Sequence, residues 1–183
     1  MKKIWICAMV ALLVLGGCTP GGDPVPSGTP SEPLAETVVP SPTPTWTGEQ
    51  QAVIDAVHRF YDEWSRITQN LDTADWNDLH QVADDTAISN TFAVWADWLS
   101  RGWHLSGSPE ITPTSVMESM SDHRGKQYVV RGCFSMERST LVDSSGQPVG
   151  ERGMERSVGV YRVLHRTNGA YVVIEAGERA ESC

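Results

Sequence analysis

The sequence predicts an α+β domain over residues 47–183, with three N-terminal helices packed on one face of an antiparallel sheet of about four strands. Two observations predict this class. Apolar residues recur at helical spacing from about residue 48 to residue 101, and they alternate at strand spacing from about residue 103 onward. A run of helices followed by a run of strands is typical of α+β domains, and the segment is long enough for one hydrophobic core.

The first helix is predicted from about residue 48 to residue 66. Thr47 and Gln50 fit a capping box, in which each side chain bonds the backbone N–H of the other residue. The apolar stripe that follows has helical spacing and consists of Val53, Val57, Phe60, Tyr61 and Trp64.

Two more helices are predicted before the sheet. The second starts at Asp72 or Thr73 and carries Trp76, Leu79 and Val82. The third runs from Thr86 to Arg101, and Gly102 supplies its C-cap. Its inward residues, at helical spacing, are Ile88, Phe92, Trp95, Trp98 and Leu99.

The first half of the sheet follows Gly102. Residues 103–106 and 111–120 are predicted as a strand that is interrupted near Pro109 and Pro113, and residues 122–125 form a turn. Residues 127–142 alternate as one long strand. One face of this strand carries Tyr128, Val130 and Phe134, and the other carries Val129, Arg131 and Cys133.

The second half of the sheet begins after a glycine-rich segment, 143–156, which is predicted as a mobile hairpin loop. Residues 157–166 and 170–176 are then predicted as two strands that flank the turn 167–169.

The N-terminal segment has the features of a secretory signal. Lys2 and Lys3 precede an apolar stretch of 12 residues, Ile4–Leu15, which is too short to span a bilayer. The run Leu15–Cys18 resembles the lipobox of bacterial lipoproteins, where cleavage precedes the cysteine and its sulfur receives acyl chains, palmitate among them. We therefore expect a signal peptide at 1–17 and a lipid anchor at Cys18, on the extracytoplasmic face of the cell membrane. An ordinary signal peptide with an incidental cysteine, or an uncleaved anchor, is the alternative.

Composition predicts what lies between this anchor and the domain, and which partners are excluded. Residues 18–46 are predicted as the lipidated cysteine and a Pro-rich disordered tether, because eight prolines fall within 19–46 among few large apolar residues.

Loss of residues 1–17 leaves 12 basic and 23 acidic side chains, a formal charge of −11. Such a chain does not favour nucleic acid, whose phosphates are bound by Lys and Arg. Docking on anionic lipid is disfavoured for the same reason, so the anchor at Cys18 has to hold the protein at the membrane.

Two cysteines remain in the predicted domain, Cys133 and Cys183. Export implies an oxidising compartment, where two thiols commonly pair. The bridge would close a loop of about 50 residues and stabilise the fold by about 4 kcal/mol in the chain-entropy model. The alternative is one buried free thiol and one terminal free thiol.

The order of elements resembles the nuclear-transport-factor-2-like superfamily, a cone-shaped α+β fold. The resemblance is carried by Val53–Trp64, by Leu71–Asn90 and by the hairpin segments 129–135 and 160–174. It implies three N-terminal helices packed on a curved antiparallel sheet of about four strands. The lipobox, the tether, Arg131-Gly132-Cys133 and the terminal Cys183 together resemble actinobacterial and phage-encoded lipoproteins of this type.

Steroid isomerases in this superfamily use an aspartate base and a tyrosine donor inside the cone. At the matching positions this chain has Asn90 and Phe60, with Tyr61 one residue away. Asn90 has no useful acid–base capacity and Phe60 cannot donate a hydrogen bond, so the resemblance implies the fold without that chemistry.

Other catalytic patterns are weak or missing. The histidines His58, His80, His104, His123 and His165 have no helical i, i+4 partner, and no nucleophile elbow, phosphate loop or dinucleotide turn occurs. Asp84-Asp85 reads either as a pair of carboxylates for catalysis or, more simply, as a helix cap. The sequence therefore predicts no cofactor and no metal site.

Two classes of function stay open. The first is a non-enzymatic envelope lipoprotein that binds an unknown protein or small ligand, with phage or prophage exclusion as one role. The second is a cone-pocket enzyme, isomerase- or hydrolase-like, with Tyr61, Asp84, Asp85 or His58 as acid or base. The candidate pocket residues in either class are Tyr61, Trp64, Trp95 and Trp98, whose alternative role is core packing.

Overall fold

The computed structural model describes residues 45–149 and 156–183. The chain divides into two units, Met1–Ser41 and Pro42–Cys183, and every element below belongs to the second. The expected signal peptide, Cys18 and nearly all of the tether lie outside the described residues, so they stay predictions. Within the described part, no helix combines the length and apolar character that a membrane span requires.

The predicted α+β class is confirmed. The helices are α1 (Gly48–Thr68), a 3₁₀ helix (Trp76–Gln81) and α2 (Asp85–Ser100). The strands are β1 (His104–Gly107), β2 (Glu110–Asp122), β3 (Gly125–Ser135), β4 (Ser139–Val142), β5 (Arg156–Arg166) and β6 (Tyr171–Arg179). They form an antiparallel four-stranded sheet in the order β2-β3-β5-β6 and a separate two-stranded sheet, β1-β4.

Helix α1 forms as predicted. The Thr47 hydroxyl accepts from the Gln50 N–H at 3.3 Å, and the Gln50 side-chain oxygen accepts from the Thr47 N–H at 3.0 Å, which completes the capping box. The predicted stripe is buried except for Trp64, which is half-buried. This helix contacts β2, β3, β5 and β6, so its stripe supplies much of the core.

The second predicted helix is wrong in its start and its type. The chain makes only the short 3₁₀ helix, which begins after Asp75 because that carboxylate accepts from the Asn77 N–H at 2.9 Å. It ends at Gln81 because the next residues pair with β6. The Val173 N–H donates to the Val82 carbonyl, and the Asp84 N–H donates to the Val173 carbonyl, both at 2.9 Å.

Helix α2 matches the prediction closely, and Gly102 follows it with a φ of +68°. One inward residue was predicted wrongly, since Leu99 is 41% exposed. The last fully buried residue of α2 is Trp95, and in the last turn only Trp98 still packs against the core.

Two predicted strands each divide in two. Residues 103–120 contribute β1 and β2, which belong to different sheets and are separated at Gly107 (φ +84°). Pro113 lies inside β2 at a shift of register. An edge strand such as β2 tolerates proline, which cannot donate a hydrogen bond to the sheet, because one side of the strand has no partner. Residues 127–142 contribute β3 and β4, because the Ser139 N–H closes a turn on the Met136 carbonyl.

The last two strands form as predicted, except that β6 continues to Arg179. Of the predicted loop 143–156, residues 143–149 are described, and Arg156 belongs to β5. Asp143 accepts from the N–H groups of Ser145 and Gln147 at 2.8 and 3.0 Å. The remainder lies outside the described residues, and its mobility stays a prediction.

The predicted disulfide between Cys133 and Cys183 is confirmed. Their Cα atoms lie 5.6 Å apart, and the two cysteines are 50 residues apart in sequence. The alternative of two free thiols is therefore excluded. The bridge holds the C-terminal segment beside β5, where the Val158 N–H donates to the Glu181 carbonyl at 2.9 Å.

Candidate functional site

One cavity in the described part of the chain has a volume of about 740 Å³ and is partly open to solvent. It is lined by helices α1 and α2, by the ends of β3, β5 and β6, and by β4 with its flanking residues. The residues that decide its chemistry are Tyr61, Trp64, Trp98, Phe134, Ser157 and Glu178.

Four aromatic residues from α1, α2 and the end of β3 line the cavity and are here called the aromatic wall, defined as Tyr61, Trp64, Trp98 and Phe134. Trp98 packs edge-on against Trp64 at 5.9 Å between ring centroids. Tyr61 continues the row, with its ring 6.1 Å from Trp64 and 5.5 Å from Phe134. Tyr61 and Trp64 meet because residues three apart on a helix share a face.

Trp95, the fourth predicted pocket residue, does not line this cavity. Its ring is fully buried and stacks on Phe92 at 5.7 Å, with Trp76 packed edge-on at 5.6 Å. Its indole Nε1 has no hydrogen-bond partner among the described residues. Trp95 faces the 3₁₀ helix while Trp98 faces α1, so Trp95 belongs to the core.

A second part of the cavity lining, from β5 and β6, is here called the strand wall and is defined as Ser157, Ala176 and Glu178. Glu178 is the direct register partner of Gly159. Ser157 and Tyr161 lie two residues to either side of Gly159, and alternate residues of a strand share a face. The Ser157 hydroxyl donates to a Glu178 carboxylate oxygen at 3.1 Å, which orients that carboxylate.

Gly159 makes room for the ring that supports this wall. A Cβ at Gly159 would lie 2.1 Å from the Tyr161 hydroxyl oxygen, so the Tyr161 ring folds back over a position without a side chain. Tyr161 is fully buried, and its hydroxyl lies 3.5 Å from that of Tyr61. The two tyrosines thereby join the strand wall to the aromatic wall.

Burial controls the electrostatics of these groups. It raises the pKa of Tyr61 and of Tyr161 well above the ordinary phenol value, so both hydroxyls are neutral at physiological pH. Glu178 is an exposed residue whose carboxyl group is partly shielded, and this loss of solvation raises its pKa although Ser157 opposes the shift. Glu137 and Arg179 are further charged groups on the lining.

The other candidate acids and bases lie elsewhere. Asp84 caps α2, where it accepts from the Asp85 N–H at 2.9 Å, and it pairs with Arg166 at 2.6 Å. Asp85 pairs with Arg124, and His58 is exposed on α1. No cluster of three or more metal-ligating side chains occurs within residues 45–149 and 156–183. Of the sequence candidates for acid–base work, Tyr61 alone lines the cavity.

Asn90 and Phe60, the positions that the resemblance matched to isomerase groups, both line the cavity. The sequence reasoning missed Glu178, Ser157 and Gly159. A glycine inside a strand pattern marks a close approach of another group, and this was the available signal for Gly159.

Comparison with known proteins identifies a fold neighbour and no family. A scan against protein-family models found no match, and neither did a search of curated protein sequences. Among solved structures, the chain is similar to the intermembrane space region of the chloroplast protein ARC6, with a TM-score of 0.54 and 14% sequence identity. The match covers 75% of this chain and 100% of that one. At this identity the likeness concerns the fold alone.

Proposed function

We propose that this protein is a membrane-anchored envelope lipoprotein whose domain is a non-enzymatic module that binds a small, largely apolar ligand. The observation that carries the proposal is that the aromatic wall, Ser157 and Glu178 line one cavity of about 740 Å³. Small-molecule sites commonly have volumes of roughly 300–1,000 Å³, apolar and aromatic linings and a few polar groups. The resemblance to phage-encoded lipoproteins makes phage exclusion one role for such a module.

We further propose a nuclear-transport-factor-2-like cone, with the helices covering the inner face of a curved sheet. The contacts of α1 with all four strands of the larger sheet support this arrangement. Register shifts in the β2-β3 and β5-β6 pairings support the curvature, because bulges bend and twist the strand that carries them.

Binding in the cavity is tested with N-phenyl-1-naphthylamine, a neutral dye that fluoresces in apolar sites, added to the full chain in nanodiscs. We expect saturable binding, and we expect Trp98→Ala to weaken it about tenfold because an aromatic anchor contributes on the order of 1–2 kcal/mol. Trp103→Ala is the matched control, since Trp103 does not line this cavity. Equal binding by wild type and Trp98→Ala would exclude the cavity as the site.

The lipid anchor is tested separately with Cys18→Ala. The run Leu15–Cys18 predicts that this change leaves an unprocessed and unlipidated chain. Intact mass is measured on both proteins. If the two masses differ only by the substitution itself, the wild type is neither processed nor lipidated, and the proposed anchor is wrong.

An enzyme remains the second candidate because titratable groups converge at the cavity. Tyr61 and Tyr161 are neutral, and Glu178 carries a raised pKa beside them, a combination typical of acid–base sites. The binder is favoured because Glu178 is exposed and the tyrosine hydroxyls face each other. Turnover of an ester or enolisable-ketone panel that Glu178→Gln abolishes would favour the enzyme.

A further inference from the structure

We propose that the cavity selects an organic cation, a ligand with an alkylated ammonium group attached to an apolar body, held between the aromatic wall and the Glu178 carboxylate. This inference rests on the proposed binding function and narrows it to one chemical class. It depends on three features that occur together: aromatic rings in contact with one another, an oriented carboxylate on the same cavity lining, and an acidic chain.

The aromatic wall provides the first recognition element. The faces of aromatic rings carry negative charge density, and rings of tryptophan and tyrosine attract ammonium groups most strongly. Trp64 and Trp98 meet edge-on, at an interplanar angle of 77°, so their faces point in different directions. Tyr61 lies at 59° to Trp64 and adds a third orientation. An alkylated ammonium head group is rounded. Rings set at different angles can therefore contact it from more than one side.

Glu178 provides the second element. The Ser157 hydroxyl donates to its carboxylate at 3.1 Å, and Ser157 is itself only 3% exposed, so the donor is fixed by packing. This hydrogen bond stabilises the charged form of Glu178. An alkylated ammonium group has few or no N–H donors, so it needs a negative charge nearby rather than a precise hydrogen-bond acceptor.

The other charged residues on the cavity lining also favour a cationic ligand. Glu137 adds a second carboxylate, and Arg179 adds one guanidinium, so carboxylates outnumber cations among the described lining residues. Tyr61 and Tyr161 are neutral and do not oppose a cation. The whole chain carries a formal charge of −9, which attracts cations toward the protein.

Cation binding should depend on pH through Glu178. Burial raises the pKa of this carboxyl in the free protein, so protons compete with the ligand for the charged form. Affinity is therefore expected to fall as pH drops through the pKa of Glu178, at a pH above the ordinary glutamate value of 4.5. Glu137 and Arg179, on the same lining, also contribute charge to the cavity. That contribution is the same in the wild type and in the variants below.

The test compares two probes of the same shape, 3-hydroxyphenyltrimethylammonium and its neutral carbon isostere, 3-tert-butylphenol. Each displaces N-phenyl-1-naphthylamine from the full chain in nanodiscs, with empty nanodiscs subtracted. We expect the cation to bind about tenfold more tightly than the isostere. Glu178→Gln should remove most of that preference. Glu175→Gln should keep it, because Glu175 lies outside the cavity on the same strand and pairs with Arg162.

The outcomes separate this inference from the function on which it rests. If the isostere binds as tightly as the cation while the dye still binds, the cavity is a ligand site and the cation class is wrong. A preference that survives unchanged in Glu178→Gln also overturns the inference. Failure of both probes and of the dye overturns the proposed binding function itself.

Discussion

The aromatic wall and the strand wall of the cavity are built by different kinds of interaction. Tyr61 and Trp64 of the aromatic wall meet through the spacing of a single helix. Ser157 and Glu178 of the strand wall meet only because β5 and β6 pair in one register, which places Glu178 opposite Gly159. The Tyr61–Trp64 pair is thus local in sequence, whereas Trp98, Phe134 and the strand wall join the site through contacts between different elements.

The strand wall also depends on a covalent tie. The bridge between Cys133 and Cys183 fastens the C-terminal segment, and the residues just before it, Glu178, Arg179 and Ala180, line the cavity. We therefore expect perturbations of the strand wall to alter both stability and the shape of the site, whereas changes in the aromatic wall should mainly alter ligand binding.

The largest expected effect is that of Cys183→Ser. Opening a loop of 50 residues should lower the free energy of unfolding by about 4 kcal/mol in the chain-entropy model. Urea unfolding of the full chain measures the change, and reduced wild type serves as the control because it lacks the same bridge. A loss below about 1 kcal/mol would mean that the tail is held without the disulfide.

A smaller effect is expected for Gly159→Ala. The new Cβ would meet the Tyr161 hydroxyl at 2.1 Å, so the Tyr161 ring has to move. Overpacking of this kind costs about 1–3 kcal/mol, and the displaced ring should also weaken dye binding. Gly177→Ala is the matched control, since nothing lies within 4 Å of a Cβ there. Equal stability of the two variants would show that the Tyr161 ring can move aside without destabilising the fold.

The difference between the walls explains what could be predicted from the sequence. The stripe that contains Tyr61 and Trp64 follows a helical period, and both residues line the cavity as expected. Trp95 and Trp98 also share that period, but their neighbours differ, and spacing alone does not say which of them faces the cavity. The helical period identifies which residues lie on the apolar face of a helix. It does not identify which element packs against each of those residues.

Glu178 could not be predicted by the same reasoning. The last strand was predicted to end at Ala176, so Glu178 fell outside the predicted sheet. In the structure Gly177 pairs with Val160, and the strand continues to Arg179. Long-range pairing therefore overrides the local signal, and it creates the polar half of the site.

The smallest expected effect concerns Asp84, which links the helical part of the domain to the strands. Its carboxylate caps α2 and pairs with Arg166 at the end of β5, at 2.6 Å. Asp84→Ala should lower the free energy of unfolding by about 1–2 kcal/mol, mostly through the lost cap, since a partly exposed ion pair contributes only about 0–1 kcal/mol. Thermal unfolding at neutral pH measures the loss.

The matched variant Asp84→Asn separates the cap from the charge, because asparagine caps a helix as well as aspartate does. Although partial burial opposes it, the hydrogen bonds from Arg166 and the Asp85 N–H hold the pKa of Asp84 below 3.8. A lowered carboxyl pKa stabilises the fold above the unfolded-state pKa, and this contribution is lost as pH falls through the folded-state value. The deficit of Asp84→Asn should therefore be constant from pH 5 to 7, at about 0–1 kcal/mol, and disappear in more acidic solution. A deficit as large as that of Asp84→Ala at neutral pH would mean that the ion pair with Arg166, rather than the cap, joins the helices to the strands.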